Sequence, residues 1–265
     1  MRNPVSCSVL NFVNKYLSDG ELADLTNYYT PVIRDAGFDG MEVFIRTPGM
    51  PDIRRIKNTM VLYGMPVTSA HFPAGLFDES KSSCLKRVKE LVDASLFLDC
   101  DLGIVHSPSL GTLAEEEKLK SLLYDLLPWT EARDFRLSIE ISHIIGCRNY
   151  FKKIIEEFGQ ELIYLSLDMS ILAAADFTVG RFYEETDLLP DNIYINDYSD
   201  SQGEGNGLRK LPALGKGSID FVEAGFCLKH WGYEGIFTLK TPLGHLTDPI
   251  LELVRCRNFI FNTLV

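Results

Sequence analysis

Short segments that alternate apolar and polar residues recur along the whole chain, each followed by a longer amphipathic stretch, and few folds accept that order. The series opens with "VSCSVLNF" before "DGELADLTNYYTPVIRDAG", "GMEVFI" before "PDIRRIKNTMVLYG", and "PVTSAHFP" before "DESKSSCLKRVKELVDASLFLD". "LGIVHSP" then precedes "LAEEEKLKSLLYDLL", "RLSIEIS" precedes "RNYFKKIIEEFG", and "LIYLSLDMS" precedes "AADFTVGRFYEETD". "NIYINDYS" with "SIDFVEAGFCLKHWG" and "GIFTLK" with "DPILELVRCRNFIFNTL" close it. About eight strand-helix units in 265 residues match the ~250 residues of a (β/α)8 barrel. The expected fold is therefore an α/β TIM barrel forming one domain over residues 1–265.

Side-chain parity separates this barrel from an open sheet. A strand sends successive side chains to opposite faces. In "LSIEIS", Leu137, Ile139 and Ile141 share one face, and Ser138, Glu140 and Ser142 share the other. Leu165 and Leu167 oppose Tyr164, Ser166 and Asp168, while Ile193 and Ile195 oppose Tyr194, Asn196 and Tyr198. In "GIFTLK", Phe237 and Leu239 oppose Ile236, Thr238 and Lys240. A barrel explains both faces, with aliphatic residues outward beneath helices and the others toward the axis. A doubly wound sheet is the competing architecture, and the phosphate loop it would want is missing, since no GxGxxG follows the first strand. Helix boundaries agree. Asp19 and Gly20 are placed just before the first helix, Pro51 and Asp52 in the first turn of the second, and Asp78 to Ser80 in that of the third. Glycines in "DAGFDG" and "KHWGYEG" are placed at helix ends.

Composition limits the partners. Thirty-seven acidic against 26 basic side chains leave a net charge of −11, a field that disfavours phosphate backbones. Nucleic acid is not expected. The scattered cysteines Cys7, Cys84, Cys100, Cys147, Cys227 and Cys256 contain no CxxC pair and fit free thiols of a reducing compartment. No stretch approaches the ~20 apolar residues of a membrane span, and the first residues lack a signal-peptide pattern, so a cytoplasmic protein with no membrane contact is expected.

The inward residues late in the strands form the candidate site: His71, His106, Glu140, Asp168, Asn196 and Lys240, joined by Glu42 nearer mid-strand. Barrel enzymes build their sites at this end, and buried charges need partners. Singly, each has a plainer explanation. A strand-end histidine serves as readily in a structural hydrogen bond, and Glu42 can pair with an inward cation. Asp197, of opposite parity to Asn196, caps the loop that follows. That loop, "DYSDSQGEGNGLRKLPALGKG", is the longest irregular stretch, and such loops are commonly functional.

The order of "GMEVFI", "SAHFP", "GIVHSP", "LSIEIS", "LSLDMS", "IYINDYSD", "LPALGKGSIDF" and "GYEGIFTLK" resembles the xylose-isomerase-like barrels, over nearly the whole chain. That superfamily includes sugar (phosphate) isomerases and epimerases, hydroxypyruvate isomerases, inosose dehydratases and apurinic endonucleases. In the epimerase-like members a divalent metal is held by a glutamate ending strand five, an aspartate ending strand six, a histidine on strand seven and a glutamate ending strand eight. Glu140 and Asp168 match the first two, but the others fall on Tyr194 and Lys240. A family histidine three residues after the aspartate is Ile171 here, and another before the "LPxGxG" motif is Lys210. An ammonium at Lys240 facing Glu140 and Asp168 would balance them as the metal does elsewhere, at ~4 kcal/mol per close pair before desolvation. The familiar metal site is thus expected to be lost, leaving no required cofactor. One divalent ion (zinc, manganese or magnesium) on His71, His106, Glu140 and Asp168 is the alternative, because the first three match one zinc site of the apurinic endonucleases.

The resemblance implies an isomerase or epimerase acting on a small polyhydroxylated carbonyl compound by proton abstraction beside the carbonyl. Glu140, Asp168 and Lys240 are the expected catalytic groups, with Glu140 or Asp168 as base and Lys240 on the enolate oxygen. His71, His106, Asn196, Tyr194, Glu42, Arg209 and Lys210 are the expected substrate contacts. The alternatives are a non-catalytic barrel binding a sugar-like ligand and a metal-dependent nuclease. Barrels of this kind often self-associate, so a homo-oligomer is allowed.

Overall fold

The computed structural model describes residues 2–13, 17–47, 49–108, 113–141, 152–159, 161–199, 211–243, 246 and 248–265. Eight strands pair in chain order: β1 (Val5–Ser8), β2 (Gly40–Phe44), β3 (Val67–His71), β4 (Leu102–His106), β5 (Arg136–Glu140), β6 (Tyr164–Asp168), β7 (Asn192–Ile195) and β8 (Ile236–Leu239). Each pair is parallel, and β8 pairs back on β1 to close the barrel. The helices are α1 (Asp19–Asp35), α2 (Met50–Tyr63), α3 (Lys81–Phe97), α4 (Leu113–Glu131) and α5 (152–158), followed by α6 (Met169–Ala174), α7 (Val179–Thr186), α8 (Phe221–His230) and α9 (Ile250–Thr263). None of these helices is long and apolar enough to cross a membrane.

The alternation seen in the sequence is the division between two cores. Outward residues such as Met41, Val43, Ile139, Leu167, Ile193, Phe237 and Leu239 are buried in the large cluster under the helices. Leu102, Ile104, Tyr194 and Ile236 form a separate cluster on the axis. Polar inward groups pair with each other: Ser138 with Ser166 at 2.7 Å, and Thr238 with Asn192 at 2.6 Å. Such pairing is required, since a buried hydroxyl without a partner costs ~1–3 kcal/mol.

Local signals decide the helix ends, with two corrections to the expected boundaries. Ser18, not Asp19, caps α1, and a reciprocal bond from Glu21 makes Asp19 the first helical residue. Ser80 caps α3, whereas Asp78 closes a short 3-10 turn before it. Gly37 and Gly232 follow the ends of α1 and α8 with φ of 87° and 69°, as expected of C-terminal glycines. The expected single helix after β6 is two, α6 and α7, separated near Asp176, whose φ of 57° is left-handed. Cys7, Cys84, Cys100, Cys227 and Cys256 are free thiols, and Cys147 lies outside the described residues.

Asp191, just before β7 at the barrel end away from the strand C-termini, gives a stability prediction. Burial pushes its carboxyl up to about 6, against the Arg136 guanidinium and the Leu165 N–H, which oppose the shift. The folded chain therefore holds a proton that the unfolded chain has released. That contribution is full below pH ~4 and is lost as pH rises through about 6, a difference of ~3 kcal/mol for a shift of about two units. Urea midpoints at pH 5 and pH 8 are expected to converge in Asp191→Asn. Equal pH dependence in the two proteins would refute the assignment.

Candidate active site at the mouth of the barrel

Strand register brings the inward polar residues to one rim. His71, His106, Glu140 and Asp168 are the last residues of β3, β4, β5 and β6, and Lys240 follows β8 directly. His106 lies opposite Glu140 in the β4–β5 register, and Asp168 lies opposite Tyr194 in the β6–β7 register. The Lys240 Nζ donates to Glu140 Oε1 at 2.9 Å and sits 3.5 Å from Asp168 Oδ2. The same ammonium lies 3.9 Å from the Tyr194 ring centroid, a cation–π contact. Burial works against this cation, but Glu140, Asp168 and Glu42 outweigh it and hold Lys240 above the ordinary lysine range. Lys240 is thus a fixed positive charge.

Asn11 aims this lysine, and the sequence did not reveal it. Its Nδ2 donates to the Leu239 carbonyl at 3.0 Å and its Oδ1 accepts from the Thr241 N–H at 2.7 Å. One buried amide therefore clamps the backbone on both sides of Lys240. Asn11 lies in a short 3-10 turn after β1. No periodicity marks it, so only the fold makes its role visible.

Asp168 is committed to local structure. Its Oδ1 accepts from the Ser170 N–H (3.0 Å), the Ser170 hydroxyl (2.6 Å), the Ile171 N–H (3.2 Å) and Asn196 Nδ2 (2.9 Å). It is the N-cap of α6, which is why that helix starts at the residue after the strand. Asn196 also accepts from the Ser170 N–H at 2.8 Å through its Oδ1. Asp197 accepts from the N–H groups of Tyr198, Gly217 and Ile219, the loop-capping role expected for it.

Behind the rim lies a buried chain of hydrogen bonds. Glu42 is fully buried and accepts from Ser8 at Oε1 (2.6 Å) and from Ser69 (3.1 Å) and Tyr194 (2.7 Å) at Oε2. Its hydrogen bonds come from three hydroxyls, because β1, β3 and β7 place them around it. Tyr194 Oη is 2.7 Å from His71 Nδ1, and His71 Nε2 is 3.0 Å from His106 Nε2. Since Tyr194 donates to Glu42, His71 carries its proton on Nδ1 and accepts at Nε2 from His106 Nε2–H. That leaves His106 Nδ1 without a proton, 3.7 Å from Glu140 Oε2. Burial, with help from the Lys240 and His106 charges, pushes the His71 imidazole well below its ordinary value. His106 is lowered too, first by burial and also by Lys240, against Glu140 and Asp168. Both rings are neutral near pH 7.

The rim opens on a cavity of about 470 Å3 lined by Leu10, His106, Glu140, Ile171, Leu211 and Lys240, among others. The His106 side chain is 26% exposed, whereas His71, Tyr194 and Glu42 stand behind the lining. Of the expected contacts, Arg209 and Lys210 lie outside the described residues.

Two donor sets bear on a metal. Glu140, Asp168, Tyr194 and Lys240 occupy the positions implied for the epimerase ion, and an ammonium and a phenol there do not fit one. His71, His106 and Glu140 have donor atoms within 4.8 Å of one another. Glu140 Oε2 is buried with no hydrogen-bond partner among the described residues, which is the feature most favourable to an ion. Against it, the two Nε2 atoms share a proton, and Lys240 already neutralises Glu140. The set would offer two imidazole nitrogens and one carboxylate oxygen to a divalent ion, with the Lys240 ammonium on Glu140 opposing it.

No family model matches the chain, and no curated protein sequence matches it. Solved structures do match. An L-ribulose 3-epimerase superposes with a TM-score of 0.79 at 16% identity, covering 99% of this chain and 95% of its own. A xylose isomerase domain protein from Planctomyces limnophilus gives 0.75 at 15% identity, over 98% of this chain and 97% of its own. A 3-keto-D-glucoside 4-epimerase from E. coli gives 0.69 at 15% identity, over 98% of this chain and 100% of its own. The chain has the fold of the xylose-isomerase-like TIM barrels.

Proposed function

We propose that this xylose-isomerase-like barrel is an isomerase or epimerase that moves a proton on the carbon beside a carbonyl of a small sugar-like compound. The neighbours of similar fold include sugar epimerases, and the rim carries the two groups such a reaction needs. The observation that carries the proposal is the Lys240 ammonium, clamped between Glu140 and Asp168 at the floor of an open cavity. A fixed cation there would stabilise the oxygen of an enolate. His106 is the pocket base in this scheme: its ring is neutral, its side chain is 26% exposed at the cavity, and Nδ1 is the nitrogen not engaged by His71. The carboxylates are less suited to that role, since Asp168 Oδ1 is filled by four donors and Glu140 holds the lysine. Glu140 Oε2, without a hydrogen-bond partner among the described residues, lies 3.7 Å from His106 Nδ1 and would receive the charge of a protonated His106.

The test uses the reaction's own signature. Incubated in D2O with a panel of ketoses, aldoses and their phosphates, the protein is expected to wash deuterium into the carbon beside the carbonyl of its substrate. Proton NMR reads this directly. His106→Gln is expected to slow exchange by ~100-fold or more, the usual scale of general base catalysis. Binding of a panel compound, seen by thermal shift, with no exchange would favour the non-catalytic barrel instead. Stoichiometric zinc or manganese in protein purified without chelator would overturn the metal-free mechanism.

A further inference from the structure

We propose that a second cavity, separated from the catalytic one by α6, is an effector site for a small organic cation with an apolar body, of the alkylamine class. The inference concerns binding outside the catalytic cavity, so it stands or falls apart from the isomerase reading.

The second cavity has a volume of about 320 Å3, within the range of ligand-sized pockets. Met169 and Leu172 of α6, Phe177 and Val179 beyond it, and Ile219 ahead of α8 supply its apolar surface. Asp176, Asp220 and Glu223 add three carboxylates to the lining. An alkyl chain would cover the apolar surface and gain from leaving water.

The hydrogen bonds already made decide the sign of the ligand. Asp220 Oδ1 accepts from the N–H groups of Val222 (3.1 Å) and Glu223 (2.9 Å), which engages two first-turn donors of α8. The Ser218 hydroxyl donates to the Tyr198 carbonyl at 3.1 Å. The Arg181 guanidinium lies 4.3 Å from the Phe177 ring centroid, and its Nε donates to Glu185 at 2.9 Å, so this cation is paired. The lining thus presents negative charge and acceptors, while these donors are spent within the protein. An ammonium complements that set. A carboxylate or phosphate would meet three like charges.

The helix α6 ties this cavity to the catalytic one. Met169, Leu172 and Ala173 follow the i, i+3, i+4 spacing of one helix face and line the second cavity. Ser170 and Ile171 of the same turns line the catalytic cavity. A ligand that displaces Met169 or Leu172 must carry Ser170 and Ile171 with them. Their N–H groups both bond Asp168 Oδ1, and the Ser170 N–H also bonds Asn196 Oδ1. Asp168 in turn sits 3.5 Å from the Lys240 ammonium. Two distinct cavities with one rigid wall between them are the physical requirement for coupling.

The experiment needs no substrate. Uniformly 15N-labelled protein is titrated at pH 7 with n-pentylamine, 1-pentanol or pentanoate, three ligands of one length and different charge whose chains carry no ring current. Pentylamine is expected to shift the amides of Leu172, Ala173, Ile219 and Glu223, and to bind about fivefold or more tightly than pentanol, with pentanoate weakest. It is also expected to shift the Asn196 side-chain amide across α6. Asp176→Asn combined with Glu223→Gln keeps the shape of the cavity, since asparagine accepts the left-handed φ of 57° at position 176. That variant is expected to bind pentylamine about fivefold more weakly with its pentanol affinity unchanged. Equal affinity for pentylamine and pentanol in the wild-type protein, or shifts confined to other surfaces, would overturn the cation site. Saturation of the cavity with an unmoved Asn196 side chain would overturn its role as an effector site.

Discussion

Lys240→Met is expected to lower turnover to about 1% of wild type or less and to destabilise the fold by ~3 kcal/mol. Breaking a buried ion pair from one side costs ~3–5 kcal/mol, because the remaining charge keeps its desolvation without its partner. The lower figure applies because 22% of the lysine side chain is exposed. What is left behind is severe. Glu140 loses a 2.9 Å bond, and Asp168 loses the cation 3.5 Å away. The activity loss follows from the enolate oxygen losing its only fixed charge in the scheme, an effect of the size seen when one oxyanion donor is removed, ~100-fold or more. Chemical denaturation measures the first quantity and solvent deuterium exchange the second. Lys240 is held above its ordinary range, so its contribution persists from acid pH through neutrality and fades only when pH rises past the alkaline value at which the folded lysine deprotonates. Lys240→Met with wild-type exchange would remove the lysine from the mechanism.

Asp168→Ala is expected to cost ~3 kcal/mol as well, for a different reason. The alanine strips the cap from α6, worth ~1 kcal/mol. It also leaves the Ile171 N–H and Asn196 Nδ2 without the acceptor they share, at ~1 kcal/mol or more for each buried donor. Asp168→Asn separates the two jobs of this residue. An amide oxygen can still receive the Ser170 and Ile171 donors, so most of the stability should return. The charge beside Lys240 does not return, and the amide nitrogen meets the ammonium as donor against donor. Stability close to wild type with impaired exchange is the expected combination for Asp168→Asn. Full activity in Asp168→Asn would show that Asp168 serves only as a helix cap.

The barrel and its rim were legible in the chain because strand alternation is a local property. Each of "LSIEIS", "YLSLDMS" and "GIFTLK" displays its own inside and outside, and the structure keeps that assignment at Glu140, Asp168 and Lys240. Lys240 opposite two carboxylates was also foreseeable, since strands five, six and eight end on one rim in any closed barrel. The duties within that rim were not. Asp168, expected among the catalytic groups, also caps α6 through its Oδ1, because the chain turns into a helix at once after β6. Glu42, expected among the substrate contacts, is bonded to Ser8, Ser69 and Tyr194, residues that no local pattern ties to it.

The sequence by itself determined the period-two strands, the closed ring and the polarity of its mouth, since these follow from residues a few positions apart. Only the tertiary structure decided which polar atoms meet. The Glu42–Tyr194 bond joins residues 152 positions apart, and Asn11 reaches Thr241 across 230. Such contacts depend on the stagger and twist of neighbouring strands, where a shift of one residue would turn each side chain to the other face. Local pattern says which way a group points, and barrel closure selects its partner.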